Sequence, residues 1–159
     1  MDFRTVQFRY TETLSTQDLI QLQSLFNHSA FWAVGRSLEA LAKAIRCSCP
    51  VVTVWHGETL IGFARATSDG VYRANIWDVV IHDDYQGAGL GRKLVETVIS
   101  HPHMNGVERT YLMTTNQQQF YERVGFESNQ TTTMVLLNQP LDELPLRQTE
   151  GVVVCGEMG

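Results

Sequence analysis

Three glycines within five residues, Gly87, Gly89 and Gly91, sit between Gln86 and Arg92 with only Ala88 and Leu90 intervening. Glycine lets successive backbone N–H groups point into one concavity that Cβ atoms would obstruct. The run ahead of them, Ile76-Trp77-Asp78-Val79-Val80-Ile81, reads as a strand. The run after them, Leu90 to Ser100, places Leu90, Leu94, Val95 and Val98 at helical spacing. A helix start adds unpaired amides and the positive end of its dipole. Strand, glycine turn and helix together specify a phosphate cradle, with Arg92 as an added positive charge. The alternative is a glycine turn that only starts a helix.

The spacing narrows the ligand. A P-loop requires Gly-x-x-x-x-Gly-Lys-Ser/Thr, which the chain lacks. A dinucleotide fingerprint requires Gly-x-Gly-x-x-Gly at the first strand–helix turn, whereas this loop lies in mid-chain with another spacing. Gln-x-x-Gly-x-Gly resembles the coenzyme A loop of the GCN5-related N-acetyltransferase (GNAT) family. A second family motif follows: a strand candidate at 107–113, a helix at 116–124 containing Phe120-Tyr121-Glu122-Arg123, and a closing Gly125-Phe126. Gly125 suits the residue after a helix, where positive φ is required. The run Gly62 to Asp69, with Ile76 to Val79 and Asp84-Tyr85-Gln86, resembles the plastid and cyanobacterial subgroup. That subgroup holds plant-type serotonin N-acetyltransferases and chloroplast lysine and N-terminal acetyltransferases. The resemblance spans about residues 4–138.

It implies an α+β fold: a central mixed, mostly antiparallel sheet flanked by helices. It implies acetyl-CoA as co-substrate and no metal. Backbone groups of Val79, Val80 and Ile81 would hold the pantetheine arm, and Gln86 to Arg92 the pyrophosphate. Tyr121 would be the general acid for the departing thiolate; its alternative is a packed helix aromatic. The implied reaction is direct attack of a primary amine, whether an arylalkylamine, a protein lysine or an N-terminus.

The base is open. Strict alternation puts Asp78 with Ile76 and Val80, opposite Trp77 and Val79. Burial there would raise its pKa and suit a base; a salt-bridge or turn role weighs equally. Plant-type members carry an Asp seven residues before the catalytic Tyr, where this chain has Thr114, which cannot be a base. Many other members place a cofactor-contacting Asn there, which makes Thr114 a candidate cofactor contact; Asn116 lies two residues later, as a second cofactor contact or a helix N-cap. A water chain is the alternative route for the proton. Phe31, Trp32 and Arg36, joined by Trp77, are the candidate acceptor wall, with ordinary core packing as the alternative.

Composition bounds the rest. At 159 residues the chain is expected to be one domain, with a core at about 4–138 and a polar C-terminal tail at 139–159. A net charge of −5 argues against nucleic acid as the main partner and mildly favours cationic amines. No apolar run approaches the ~20 residues of a membrane helix, and no signal peptide is visible. Cys47, Cys49 and Cys155 form no framework, which points to reduced thiols in a bacterial cytosol or plastid stroma. The five histidines show no metal spacing. Val152 to Val154 reads as either a late strand or an intermolecular contact, so a homodimer stays open.

Further elements are expected at Phe3–Tyr10 (strand), after Ser15 and Ser37 (capped helices), and at Val51–Trp55 with Thr59–Ala66 (hairpin). The last strands expected are Tyr72–Ile81 after an Asp69-Gly70 turn and, finally, Thr132–Leu137. Two other readings compete with an enzyme: a non-catalytic acetyl-CoA-binding regulator on the same fold, and a structural dimer module.

Overall fold

The computed structural model describes residues 3–138. The chain divides into two compact units that meet between Leu112 and Met113. The tail at 139–159, with Val152–Val154 and Cys155, lies outside the described residues.

The first unit holds the sheet. Its strands are β1 (Val6–Tyr10), β2 (Val51–His56), β3 (Thr59–Ser68), β4 (Arg73–Ile81) and β5 (Arg109–Tyr111), in the spatial order β1-β2-β3-β4-β5. The first four form an antiparallel meander, and β5 joins parallel to β4. This mixed, mostly antiparallel sheet with helices is the expected α+β architecture. The chain between β1 and β2 forms α1 (Thr16–Ser29) and α2 (Leu38–Arg46). Ser15 and Ser37 cap them as their spacing foretells: each hydroxyl accepts the N–H three residues on. Leu19, Leu22, Leu25 and Phe26 of α1 and Leu41 and Ile45 of α2 pack on Val51, Trp55, Phe63 and Val80 of the sheet. The helix α3 (Leu90–Ser100) covers β2, β3 and β4 with Leu94, Val95 and Val98 fully buried. His101 ends it, and Pro102 opens the short α4 (Pro102–Asn105), as proline at a first helical position does. The Asp69 carboxylate accepts the N–H groups of Val71, Tyr72 and Arg73, which closes the β3–β4 turn and holds its pKa low.

The second unit holds α5 (Gln118–Val124). Phe126 N–H donates to the Tyr121 carbonyl and Gly125 N–H to that of Glu122, with Gly125 at φ +116°. This is the Schellman closure that the Gly125-Phe126 pair foretells, and the Phe126 ring rests 5.9 Å from that of Tyr121.

Three expectations on strands need correction. Phe3–Thr5 is a 3-10 turn, so β1 starts at Val6. The 107–113 strand shortens to Arg109–Tyr111, because only three residues find partners on β4. Thr132–Leu137 forms no strand: its β-forming residues find no ladder, and Met134 and Leu136 are more than 80% exposed. Propensity without a partner strand does not make one.

At Gly62 the side chains of Val54 on β2 and Ile81 on β4 close over the backbone of β3. A Cβ there would lie 2.7 Å from Ile81 Cδ1 and 2.9 Å from Val54 Cγ2. Gly62→Ala is therefore expected to destabilise the protein by about 1–3 kcal/mol, read as a lower urea midpoint. An unchanged midpoint would show that Val54 yields freely.

Candidate active site

The β4 strand is bulged and then left open on one side. Its register against β3 runs Arg65↔Trp77 and then Phe63↔Val80, so two β4 residues oppose the single Ala64. The extra residue is taken up at Asp78, which has φ +57° and is the one non-glycine among the described residues at positive φ. A left-handed residue in a bulge strengthens local twist and interrupts pairing. Holding a non-glycine there costs roughly 1 kcal/mol, less for Asp than for most residues. On the opposite edge, β5 pairs only with Arg73–Asn75. Among the described residues that edge of β4 has no strand partner from Ile76 to Ile81. His82 N–H donates to the Ile61 carbonyl, so the alternation of the ladder commits Val80 to Phe63 and turns the backbone of Val79 and Ile81 toward the open edge. Ile81 is different: its carbonyl accepts the Gln86 side chain at 2.9 Å.

The bulge overturns the alternation read from sequence. Val80 shares its face with Phe63 and the α1 core, while Ile76 pairs with Ala66 on the other face. Asp78 thus sides with Val80 and not with Ile76.

Its carboxylate is 4% exposed and receives three donors. Arg65 Nε donates to Oδ2 at 2.7 Å and Arg36 Nη1 to the same oxygen at 3.0 Å, while Trp32 Nε1 donates to Oδ1 at 3.3 Å. Burial alone pushes the Asp78 pKa up, but the guanidiniums of Arg36 and Arg65 outweigh it and hold the group below its ordinary 3.8. The raised pKa expected of a base is corrected in sign. A carboxylate held ionised by two arginines is a weak proton acceptor.

Of the predicted acceptor wall, Trp32 and Arg36 meet at Asp78. Phe31 is 45% exposed, with its ring edge-on to Trp32 at 5.2 Å. Trp77 lies by register on the face of Arg65, but its indole donates to Thr67 Oγ1 at 2.8 Å and is committed there. Sequence reasoning assigned no role to Arg65. The available signal was its place two residues after Phe63: an arginine on the core face of a strand requires a buried anion. A cavity of about 210 Å³ opens beside these groups, lined by Phe26, Leu41, Ile45 and Phe63 and by Arg36, Arg65 and Asp78.

The glycine loop follows a one-turn helix, Asp83–Tyr85. Gln86 Nε2 ties the loop to the strand end through Ile81 O and to Asp83 Oδ1. Tyr85 OH meets His56 Nδ1 at 2.8 Å. Gly87 and Gly89 take φ +86° and +83°, and Gly89 stands at the N-cap of α3 with no side-chain cap. The first amides of α3 and open space where Cβ atoms would stand fit an incoming pyrophosphate. Arg92 pairs with Glu96 at 2.7 Å, so its charge is shared rather than free for the loop.

In the second unit, Thr114 Oγ1 accepts the Gln117 N–H at 3.1 Å, the turn-forming role expected of Asn116. Asn116 does not cap α5; its Oδ1 reaches only the Gln117 side chain, at 3.5 Å. Tyr121 is half-buried, edge-on to Phe120 at 4.9 Å, and burial pushes its phenol pKa to about 12. Among the described residues no group of three or more His, Cys, Asp or Glu side chains is placed to hold a metal, and no helix is long and apolar enough to cross a membrane.

The comparisons agree with the geometry. Residues 48–128 match the model of the acetyltransferase (GNAT) domain. An uncharacterized N-acetyltransferase, ycf52-like, of Prochlorococcus marinus is 43% identical over 101 residues, 61% of this chain and 55% of its own. An uncharacterized N-acetyltransferase ycf52 of Pyropia yezoensis is 30% identical over 131 residues, covering 79% of this chain and 72% of that one. The structure of a GNAT-family acetyltransferase of Streptococcus pneumoniae superposes with TM-score 0.69 at 21% identity, covering 85% of this chain and 99% of that one. The chain belongs to the GNAT acetyltransferase family. Members of this family use acetyl-CoA as co-substrate.

The sign of the Asp78 shift gives a test. A carboxyl with a depressed folded pKa stabilises the fold above its unfolded value of 3.8 and loses that contribution as pH falls through the folded value. Urea midpoints of the parent should therefore drop steeply below about pH 4. Asp78→Asn should start lower at pH 7, by about 3–5 kcal/mol for a broken buried pair, and show a shallower acid limb. Parallel acid limbs for the two proteins would show that the carboxylate is not held ionised.

Proposed function

We propose that the protein transfers the acetyl group of acetyl-CoA to a primary amine. The observation that carries this reading is the bulged, one-sided stretch of β4 leading into the glycine loop at the start of α3. Such a stretch offers backbone groups to an extended amide-bearing arm, and the loop offers amides to a diphosphate, two functions that coenzyme A requires together.

In this reading Val79, with the Ile81 N–H, binds the arm through its backbone, Val80 stays paired with Phe63, and Gly87 to Gly91 bind the diphosphate, while Gln86 keeps strand end and loop in register. Thr114 and Asn116 serve the turn before α5. The amine nitrogen bonds to the thioester carbon as the C–S bond breaks. Tyr121 supplies a proton to the leaving sulfur and is reprotonated from solvent. Its raised pKa keeps that proton in place across the neutral range. The proton lost by the amine leaves through water, because Asp78 is locked between arginines. Phe31 and Trp32 suit an aryl amine or the aliphatic stem of a lysine. Arylalkylamines, protein lysines and protein N-termini are the acceptor classes to assay, in the setting of a bacterial cytosol or plastid stroma.

Mass spectrometry of products from acetyl-CoA and a panel of these amines tests the reading, and no acetylated product from any of them would overturn it. Two variants test its parts. Gly89→Val places a β-branched residue at φ +83° beside the loop amides and is expected to abolish coenzyme A binding in calorimetry while the protein stays folded. Unchanged affinity would remove the loop from the site. Tyr121→Phe is expected to keep cofactor affinity and lower turnover ~10²–10⁴-fold. Turnover at the parent rate would remove Tyr121 as the acid.

A further inference from the structure

Asp78 adopts a backbone conformation that is ordinarily glycine's, and its side chain is grasped from two sides. One arm comes from the neighbouring strand. Arg65 Nε binds Asp78 Oδ2, and Arg65 Nη1 donates to Ser48 Oγ at 3.2 Å, whose hydroxyl donates to the Ala44 carbonyl of α2 at 2.6 Å. The other arm comes from the connection between α1 and α2. Arg36 Nη1 binds the same oxygen, and Trp32 binds Oδ1. That connection is itself tied to α1: Gln23 Nε2 donates to the Arg36 carbonyl, and Gly35 N–H donates to Asn27 Oδ1, each at 3.0 Å. The guanidinium of Arg36 lies over the Phe26 ring at 5.5 Å. The two arginines are 18% and 29% exposed, so water competes weakly for either.

We propose that Arg65 and Arg36 are positioning residues that act through Asp78. Arg65 holds the left-handed bulge in β4, and with it the register of Val79, which faces the open edge, and of Val80, which pairs with Phe63. Arg36 hangs the α1–α2 connection, with Phe31 and Trp32, on that same bulge. One carboxylate thus ties the strand that offers backbone groups to the segment that forms the aromatic wall. The names of the two ligands rest on the acetyl-transfer reading; the clamp itself does not.

The physical logic separates the arms. A flexible, solvated Asp78 would gain by relaxing to extended backbone, which would return β4 to regular pairing with β3 and shift Val79 by one position. Arg65 sits across the ladder from the bulge and opposes this directly. Arg36 is on a connection outside the sheet, so its loss frees the connection before it frees the strand.

The test uses the full chain, with backbone and indole NMR resonances and calorimetry with coenzyme A. Arg65→Gln is expected to move the Asp78, Val79 and Val80 amide resonances and to weaken coenzyme A binding at least tenfold. Arg36→Gln is expected to move the Trp32 indole resonance, with Val79 and Val80 amides and coenzyme A affinity within twofold of the parent. Arg65→Lys keeps a cation at the carboxylate and is expected to restore most of the affinity, which a loss of packing alone would not do. Parental Val79 and Val80 resonances in Arg65→Gln overturn the clamp, as do equal effects of the Arg65→Gln and Arg36→Gln variants on both sets of resonances. If Arg65→Gln does not fold, Arg65→Lys decides: near-parental Val79 and Val80 resonances with most of the coenzyme A affinity support the clamp, and displaced resonances despite the retained cation overturn it. A parent that fails to bind coenzyme A overturns the acetyl-transfer reading alone, because the resonances still decide the clamp.

Discussion

A carboxylate remains charged inside an apolar layer only where cations touch it, and that constraint organises the first unit. Asp78 is at the point where the sheet must stop behaving as a sheet. Its charge requires Arg65 from the next strand and Arg36 from the helical connection. Those requirements fix where the bulge falls, how the connection runs, and which face receives Val80. Were Asp78 and both arginines replaced together by apolar residues, nothing would hold the strand away from regular pairing. The interaction is therefore better read as specifying a conformation than as adding stability.

A division of labour follows along the chain. Between Ser68 and Leu90 the polypeptide makes a tight Asx-type turn, one regular half-strand, a bulge, an open half-strand, a one-turn helix and a glycine loop. Each change of conformation is held by a side chain: Asp69 for the turn, Asp78 for the bulge, Gln86 for the join of strand and loop. Glycine supplies positive φ at the turn, through Gly70, and at the loop, through Gly87 and Gly89, where the backbone must be approached. Under the proposed function, ligand recognition in this stretch rests on main-chain groups, and the side chains aim them.

Much of this was legible in the residues. The serine caps, the hairpin of β2 and β3 (its turn at Gly57-Glu58, one residue later than the His56-Gly57 expected), the glycine loop and the Gly125 closure each depend on local chemistry that one residue type performs best, so the sequence announces them. What stayed hidden depends on partners far along the chain. The face of Asp78 was misread because alternation assumes no inserted residue, and the bulge becomes visible only when β3 is laid beside β4. Arg65 was passed over because its anion lies thirteen residues away. Of the two equal readings of Asp78, the salt bridge holds and the raised pKa of a buried base does not; which cations make the bridge is set by residues far along the chain. Thr132 to Leu137 has the residue types of a strand but gains no ladder within the described residues.

The open side of β4 has a consequence beyond ligand binding. An unpaired row of N–H and C=O groups is a template for any passing strand, and soluble proteins blunt such edges with bulges that twist them away. Here one bulge both makes the opening and guards it: the left-handed turn at Asp78 denies a foreign strand the straight, evenly spaced ladder that six consecutive residues would present. A variant that smoothed this kink would turn a recognition surface into an adhesive one, and its first symptom would be turbidity.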